Sequence, residues 1–456
     1  AMSASLVGSE MCIRDSVGCK WGDEGKGKIA SLTSKNAKFV IRATGGSNAG
    51  HTVIYNGKKV ALHLIPGGIT YPNKIGIIGP GTVIEPKVLL DELALLKDSG
   101  VSNIEDRLKI SGRAHVVFPW HKDLDELHEQ VKEHPIGTTK RGIGPTYSDK
   151  ATRKGLRIYD LLLPVDELEK KINEDVFLHN QLFLANNMEE CVVDSKKFAM
   201  TFAEYGQLLQ PYVTDVLPIY METIKNNDGI VIEGAQAFRL DNDDGEYPDV
   251  TASHPVTSGC LLGAGLPAQA LKLVIGVDKA YNTRVGNGPF PTELPSSIDE
   301  NGNLIPNQPK LEGDIIRELG YEYGATTGRP RRCGWMDAVM LRTAKYGCGI
   351  DVLCINHLDT LGKIGMELGY VKVCVAYSYM GKIINYYPDN TRLTHTIPEP
   401  VYETIEGGWK IDESMKTFDS LPEKAKQFIE IVERISEITV KFVGTGPAND
   451  DIIEKK

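Results

Sequence analysis

Apolar residues gather along this chain in short, unbroken runs ended by glycine or by polar clusters. Phe39–Arg42, Ile75–Ile78, Gly229–Ile232, Leu273–Val277 and Val352–Ile355 are such runs, and Val60–Ile65 and Ile438–Val443 are strand-like but interrupted, by His63 and by Thr439 and Lys441. The unbroken runs have the length and composition of strands covered on both faces. Between them the spacing changes to i, i+3, i+4, which predicts helices at Ile29–Ser34, Val88–Lys97 and Glu423–Ile435 and a largely helical stretch from Val165 to Lys225. Strands alternating with helices predict an α/β protein.

The stretch Gly22-Asp23-Glu24-Gly25-Lys26-Gly27-Lys28 falls between a short N-terminal apolar run and the first predicted helix. It fits G-x-x-x-x-G-K, a loop whose backbone N–H groups cradle phosphate while lysine reaches the terminal oxygens. A Gly-rich turn shares the pattern, but the strand–loop–helix–strand setting favours phosphate. Ile29 stands where such loops carry a magnesium-holding hydroxyl. Asp23 offers an oxygen ligand instead, and a carboxylate among phosphate-facing donors also suits acid–base work. Upstream, Cys12-Ile13-Arg14-Asp15-Ser16 places two charges where a buried strand is expected. Without Gly8–Ser16 the apolar residues Leu6-Val7 would run into Val17-Gly18, so residues 1–16 read as an anomalous N-terminal segment, with Gly8–Ser16 a foreign insertion or a sequence artefact.

Composition narrows the picture. The chain has 456 residues, 41% hydrophobic and 25% charged, as in globular proteins, and a formal net charge of −10. An acidic chain is a poor general partner for nucleic acid, so any polyanion must meet local cations. Eight cysteines without a C-x-x-C pair suggest free thiols, and no apolar run approaches a membrane span. A cytoplasmic location is expected.

Local cations and hydroxyls recur in glycine-rich loops. Gly45-Gly46-Ser47-Asn48-Ala49-Gly50-His51-Thr52 carries a histidine among small polar residues, and Ile136–Pro145 joins Thr138 and Thr139 to Lys140 and Arg141 in a segment too glycine-rich for regular structure. Gly324-Ala325-Thr326-Thr327-Gly328-Arg329-Pro330-Arg331-Arg332 is an anion receptor of forked guanidinium groups. Gln236, after the strand at 229–232, could read a base edge or be a buried amide, and Thr251 adds a hydroxyl. Asn356-His357-Leu358-Asp359 looks like the N-K-x-D element in which aspartate reads guanine. Taken together these imply GTP plus a second phosphorylated or carboxylated ligand, with Asp23 as base or metal ligand and His51 as acid or phosphoryl-oxygen donor.

The motifs W-G-D-E-G-K-G-K, G-G-x-N-A-G-H-T, G-T-T-x-R-G-I-G-P, E-G-A-Q, T-R-V-G-x-G-P-F-P-T-E and G-A-T-T-G-R-x-R-R, in that order from about Val17 onward, resemble the adenylosuccinate synthetase family. That resemblance implies a homodimer with a large, mostly parallel α/β sheet, a phosphate loop like a P-loop, and helical insertions. It implies synthesis of adenylosuccinate from IMP, L-aspartate and GTP with Mg2+. Asp23 would take the N1 proton of IMP, His51 would stabilise the phosphoryl group in transit, and Asp23 and the Gly50 carbonyl would hold Mg2+. GTP would meet Gly22–Lys28, Gly50, His51, Thr52, Arg331, His357, Leu358, Asp359, Gly444, Thr445 and Gly446. IMP would meet Asp23, Glu24, Gly25, Lys26, Asn48, Ala49, Gly50, His51, Thr139, Gln236, Thr251 and Arg329, with Arg153 supplied by the other subunit. Aspartate would meet Ala325, Thr326, Thr327, Gly328, Arg329, Pro330 and Arg331.

The resemblance also marks departures. His357 stands where many relatives have lysine, which alters stacking on guanine, and Ala237 replaces a common glycine after Gln236. Residues 17–456 are expected to form the family's domain, with a helical subdomain at about 165–228. A regulatory GTPase or an inactive guanine-nucleotide-binding homologue are the competing readings.

Overall fold

The computed structural model describes residues 13–35, 37–55, 58–133, 135–298, 303, 305–306, 308–324, 328–389, 391, 396–448 and 450–455, with backbone alone at 51, 52, 54, 58 and 59. Residues 1–12 of the anomalous segment, and Ala325, Thr326 and Thr327, lie outside the described residues. The class is α/β with a large, mostly parallel sheet, as expected. Its strands are β1 (Ile13–Gly18), β2 (Phe39–Arg42), β3 (Ile75–Ile78), β4 (Leu108–Ser111), β5 (Val213–Thr214), β6 (Ile230–Glu233), β7 (Leu271–Lys279), β8 (Val352–Asn356), β9 (Thr439–Gly444) and β10 (Ile452–Glu454).

The chain divides into two compact units. The first, residues 1–15, 33–235 and 251–272, contains β6-β2-β3-β4-β5, all parallel. Ile13, Phe39, Ile41, Ile77 and Ile232 pack in one core cluster, which explains the unbroken apolar runs. A second cluster lies under the helices Val165–Ala185 and Ser195–Leu209, where Leu168, Ile172, Phe183, Ala199 and Phe202 are buried at helical spacing.

The other unit, residues 16–32, 236–250 and 273–456, contains β10-β9-β8-β7, parallel except for the β9–β10 pair. Helix α1 (Lys26–Ser34) follows the phosphate loop, and Ile29 packs with Ile275, Val277 and Cys354. Tyr370–Tyr379 pairs antiparallel with Glu399–Glu406 in a separate small sheet that the periodicity did not announce.

Two local expectations are corrected. Ile136–Pro145 is not irregular throughout: helix α3 (Ile143–Thr152) begins at Ile143, after Gly142 in a left-handed conformation (φ 71°). Proline is accommodated there because the first-turn N–H groups have no intrahelical acceptor. The doubtful residues Ile13–Ser16 do enter a strand, with Asp15 and Ser16 buried and Arg14 partly buried. Ile13 and Val17 supply its apolar burial.

Candidate functional site

In the unit that carries the phosphate loop, the loop is braced from inside. Gly22 (φ 97°) and Gly25 (φ 84°) turn the chain through left-handed conformations, and Asp23 shares one (φ 62°), which aspartate tolerates better than most residues. The buried Glu24 carboxylate accepts from the Lys20 N–H (3.2 Å), the Gly22 N–H (2.8 Å) and Lys26 Nζ (2.9 Å). Burial alone would push its carboxyl up; Lys26 and the loop amides hold it below the usual range. Underneath, Lys20 Nζ lies 2.7 Å from Asp278 and donates to Asn282. Burial wins there, raising Asp278 to about 6 against the pull of Lys20.

The loop's exit meets the candidate guanine segments. Lys28 Nζ donates to the carbonyls of Gly446 (2.8 Å) and Asp451 (2.9 Å). Asn356 Nδ2 donates to the Glu24 carbonyl at 2.7 Å, and a Cβ at Gly25 or Gly444 would collide with the Asn356 amide at 2.8 and 2.5 Å. Lys28, Asn356 and Gly444-Thr445-Gly446 therefore come together. Leu358 is wholly buried with its carbonyl accepting from the Trp409 indole, while Asp359 is partly exposed near Lys363 at 3.6 Å. His357, left-handed at φ 62°, lies edge-on to Tyr281; burial, helped by the Lys279 charge, lowers its imidazolium to about 4.

Arg331 forks between two carboxylates. One arm donates to Glu322 Oε2 at 2.6 Å and the other lies 3.1 Å from Asp23 Oδ2. Glu322 is buried and also accepts from Lys279 Nζ (2.8 Å) and the Tyr281 hydroxyl (2.7 Å). Burial pushes its carboxyl up, but Lys279 and Arg331 overcome this and hold it at about 2. The Arg331 N–H donates to the Glu322 carbonyl and the Gly324 N–H to the Arg329 carbonyl, closing the base of the loop that carries Gly328, Arg329 and Pro330. Sequence reasoning missed Glu322, Lys279 and Lys20, because isolated charges in apolar surroundings form no motif. Gln236 is left-handed (φ 59°), and the adjoining Ala237 methyl lies where a Cβ on Gly18 would meet it at 2.7 Å.

The other unit carries the remaining candidates. The Gly45 N–H donates to the Tyr147 hydroxyl, the Gly46 N–H to Asn48 Oδ1, and Ser47 Oγ to Glu85. Ala49 and Gly50 follow, and His51 enters a hairpin opposite Leu62. A Cβ on Gly46 would strike Ile143 at 2.7 Å and one on Gly50 the His63 ring at 2.8 Å, so both must be small. Thr139 is exposed, as is Arg153, which caps α3 in a left-handed conformation (φ 66°). Thr251 Oγ1 lies 3.5 Å from Ser253 Oγ. Among the described residues no hydrogen bond joins Thr139, Arg153 and Thr251.

His121, Asp149 and Asp175 form a buried group with metal-like spacing. Its protonation argues against a metal. The Phe118 N–H donates to His121 Nδ1 (3.0 Å), so Nε2 carries the proton it gives Asp149 (3.0 Å).

The adenylosuccinate synthetase family model matches residues 16–453. The adenylosuccinate synthetase of Caldicellulosiruptor bescii is 46% identical over 446 residues, 97% of this chain and 99% of that protein; the one from Acetivibrio thermocellus is 45% identical over 445 residues, with the same coverage. A solved structure of the fully ligated adenylosuccinate synthetase from Plasmodium falciparum superposes with a TM-score of 0.85 at 37% identity, covering 97% of this chain and all of that one. With the phosphate loop, the candidate guanine segments and the arginine-rich loop in the expected order, this chain belongs to the adenylosuccinate synthetase family.

Proposed function

We propose that this chain joins IMP and L-aspartate into adenylosuccinate while GTP becomes GDP and phosphate, in the AMP branch of purine synthesis. The observation that carries the reading is Asp23: a carboxylate with 47% of its side chain exposed, presented by a phosphate loop and flanked by Arg331. Asp23 would remove the N1 proton of IMP, so that O6 becomes an oxyanion and attacks the γ-phosphorus as GDP leaves. The amine of aspartate then attacks C6 of 6-phosphoryl-IMP and phosphate departs. His51 would donate to the phosphoryl oxygens in transit.

GTP would rest on Gly22–Lys28, Gly50, His51 and Thr52, with its base against His357, Leu358, Asp359 and Gly444–Gly446. Because the Leu358 side chain is buried, its contribution would come from the backbone. IMP would meet Asp23–Lys26, Asn48–His51, Thr139, Gln236, Thr251 and Arg329. Aspartate would meet Ala325–Arg331, with Arg331 also reaching GTP. Asp23 and the Gly50 carbonyl are hard oxygen donors that suit Mg2+. When bound, Mg2+ supplies charge neutralisation at the phosphoryl oxygens. The active form would be a homodimer in which exposed Arg153 reaches the partner's IMP, working in the cytoplasm; no described helix is long and apolar enough to cross a membrane. The family domain would begin near residue 16, where the family match starts.

The test is adenylosuccinate formation from IMP, aspartate, GTP and Mg2+ by the purified protein. Turnover should require GTP rather than ATP and fall by at least about a hundredfold in Asp23→Asn. GTP hydrolysis independent of IMP would favour a GTPase and overturn the reading.

A further inference from the structure

The helix Pro119–Gln130, α2, places His121, Asp125 and Glu129 four residues apart and hence on one face. All are buried, an unusual concentration of polar groups for the inward side of a helix. Each is used by the segment that follows. Glu129 accepts from successive backbone N–H groups of Ile136 (3.3 Å), Gly137 (2.7 Å) and Thr138 (3.2 Å). Asp125 Oδ2 accepts from the Gly142 N–H at 3.0 Å, at the mouth of α3. His121 Nε2 donates to Asp149 Oδ2 within α3, an oxygen that lies 3.1 Å from His179 Nε2 as well.

Thr139 is therefore suspended between two anchors, Thr138 on Glu129 and Gly142 on Asp125, with its own side chain exposed. Free glycine-rich backbone would have to be ordered each time a ligand binds, at an entropic cost in affinity. A carboxylate that already holds three N–H groups removes much of that cost. Lys140 is drawn the same way, its Nζ 2.7 Å from Glu126.

We propose that Glu129 and Asp125 are positioning residues that pre-form the IMP loop around Thr139, an inference that rests on reading Thr139 as an IMP contact. Neither carboxylate needs to touch IMP. Their shared effect is to fix the backbone on both sides of the residue that does.

The test is steady-state kinetics on Glu129→Gln, Asp125→Asn and Thr139→Ala, with thermal unfolding of each. Glu129→Gln keeps one acceptor but loses the charge and one oxygen, so KM for IMP should rise about tenfold while KM for GTP and kcat stay close to wild type. Glu129→Asp, which restores the charge on a shorter arm, should recover part of the loss. Combined with Thr139→Ala, Glu129→Gln should add less than its separate effect. If Thr139→Ala raises KM for IMP but Glu129→Gln does not, the positioning role is overturned and the reading of Thr139 stands. If Thr139→Ala leaves KM for IMP unchanged, that reading fails and the inference with it. A lower KM in Glu129→Gln would mean that the carboxylate occupies the phosphate's own place, which also overturns the proposal. Equal loss of KM and kcat performance for all three substrates, alongside a lowered melting temperature, would reduce Glu129 to a general structural role.

Discussion

The two regions that carry candidate site residues are stiffened in opposite ways. Around the phosphate loop the ends of cationic side chains are gripped: Lys20 by Asp278, Lys26 by Glu24, Lys28 by two carbonyls, and Lys279 and Arg331 by Glu322. Around the Thr139 loop the backbone is gripped by carboxylates, while Thr139 and Arg153 stay exposed. The first arrangement fixes the positions of charges within the fold, which is the preorganisation that the proposed binding of GTP would use. The second fixes a backbone scaffold and leaves the side chains of Thr139 and Arg153 exposed, as the proposed IMP contacts would require.

The largest way to break that contrast is to remove a grip in the first region. Glu322→Ala strands a buried Lys279 ammonium without its carboxylate, which should cost about 3–5 kcal/mol in urea unfolding. Glu129→Gln in the other region should leave unfolding nearly unchanged and act on IMP affinity instead. Comparable stability losses in both variants would erase the distinction.

A smaller effect sharpens it through pH. The imidazole of His357 titrates near 4 in the folded chain, below its ordinary 6.5, because burial and Lys279 disfavour the cation. Its unfolded form therefore binds the extra proton between those values. The stability it contributes is fully present above about pH 6.5 and is lost as pH falls toward 4, by up to about 3 kcal/mol. His357→Gln should flatten the measured fall across this window relative to wild type. An unchanged slope would mean that His357 is not held neutral.

The contrast also explains what could be read from sequence. Phe39–Arg42 and Ile75–Ile78 were legible with their exact limits, because a strand covered on both faces leaves an unbroken apolar run. The phosphate loop was legible because its glycines and lysines have fixed spacing for a stereochemical reason, and α1 begins at Lys26 inside the motif rather than at Ile29. Ile13–Gly18 was not, since Arg14 and Asp15 obscure a strand whose burial comes from Ile13 and Val17. Glu322 and Lys279 stand 43 residues apart and meet only after folding. Glu129 is legible locally as a polar position on a helix, yet its function depends on three amides seven to nine residues later. Motif reading finds residues that face ligands; it overlooks residues that hold those in place.

The most direct test of the central claim, that Asp23 initiates phosphoryl transfer from GTP to IMP, omits aspartate altogether. GTP carrying oxygen-18 in the β,γ-bridge is incubated with the protein, IMP and Mg2+, and movement of label into the non-bridging β positions is followed by phosphorus NMR. Reversible formation of 6-phosphoryl-IMP predicts IMP-dependent scrambling in the wild type and its loss in Asp23→Asn. Scrambling at the wild-type rate in Asp23→Asn, or scrambling that does not require IMP, would contradict the account.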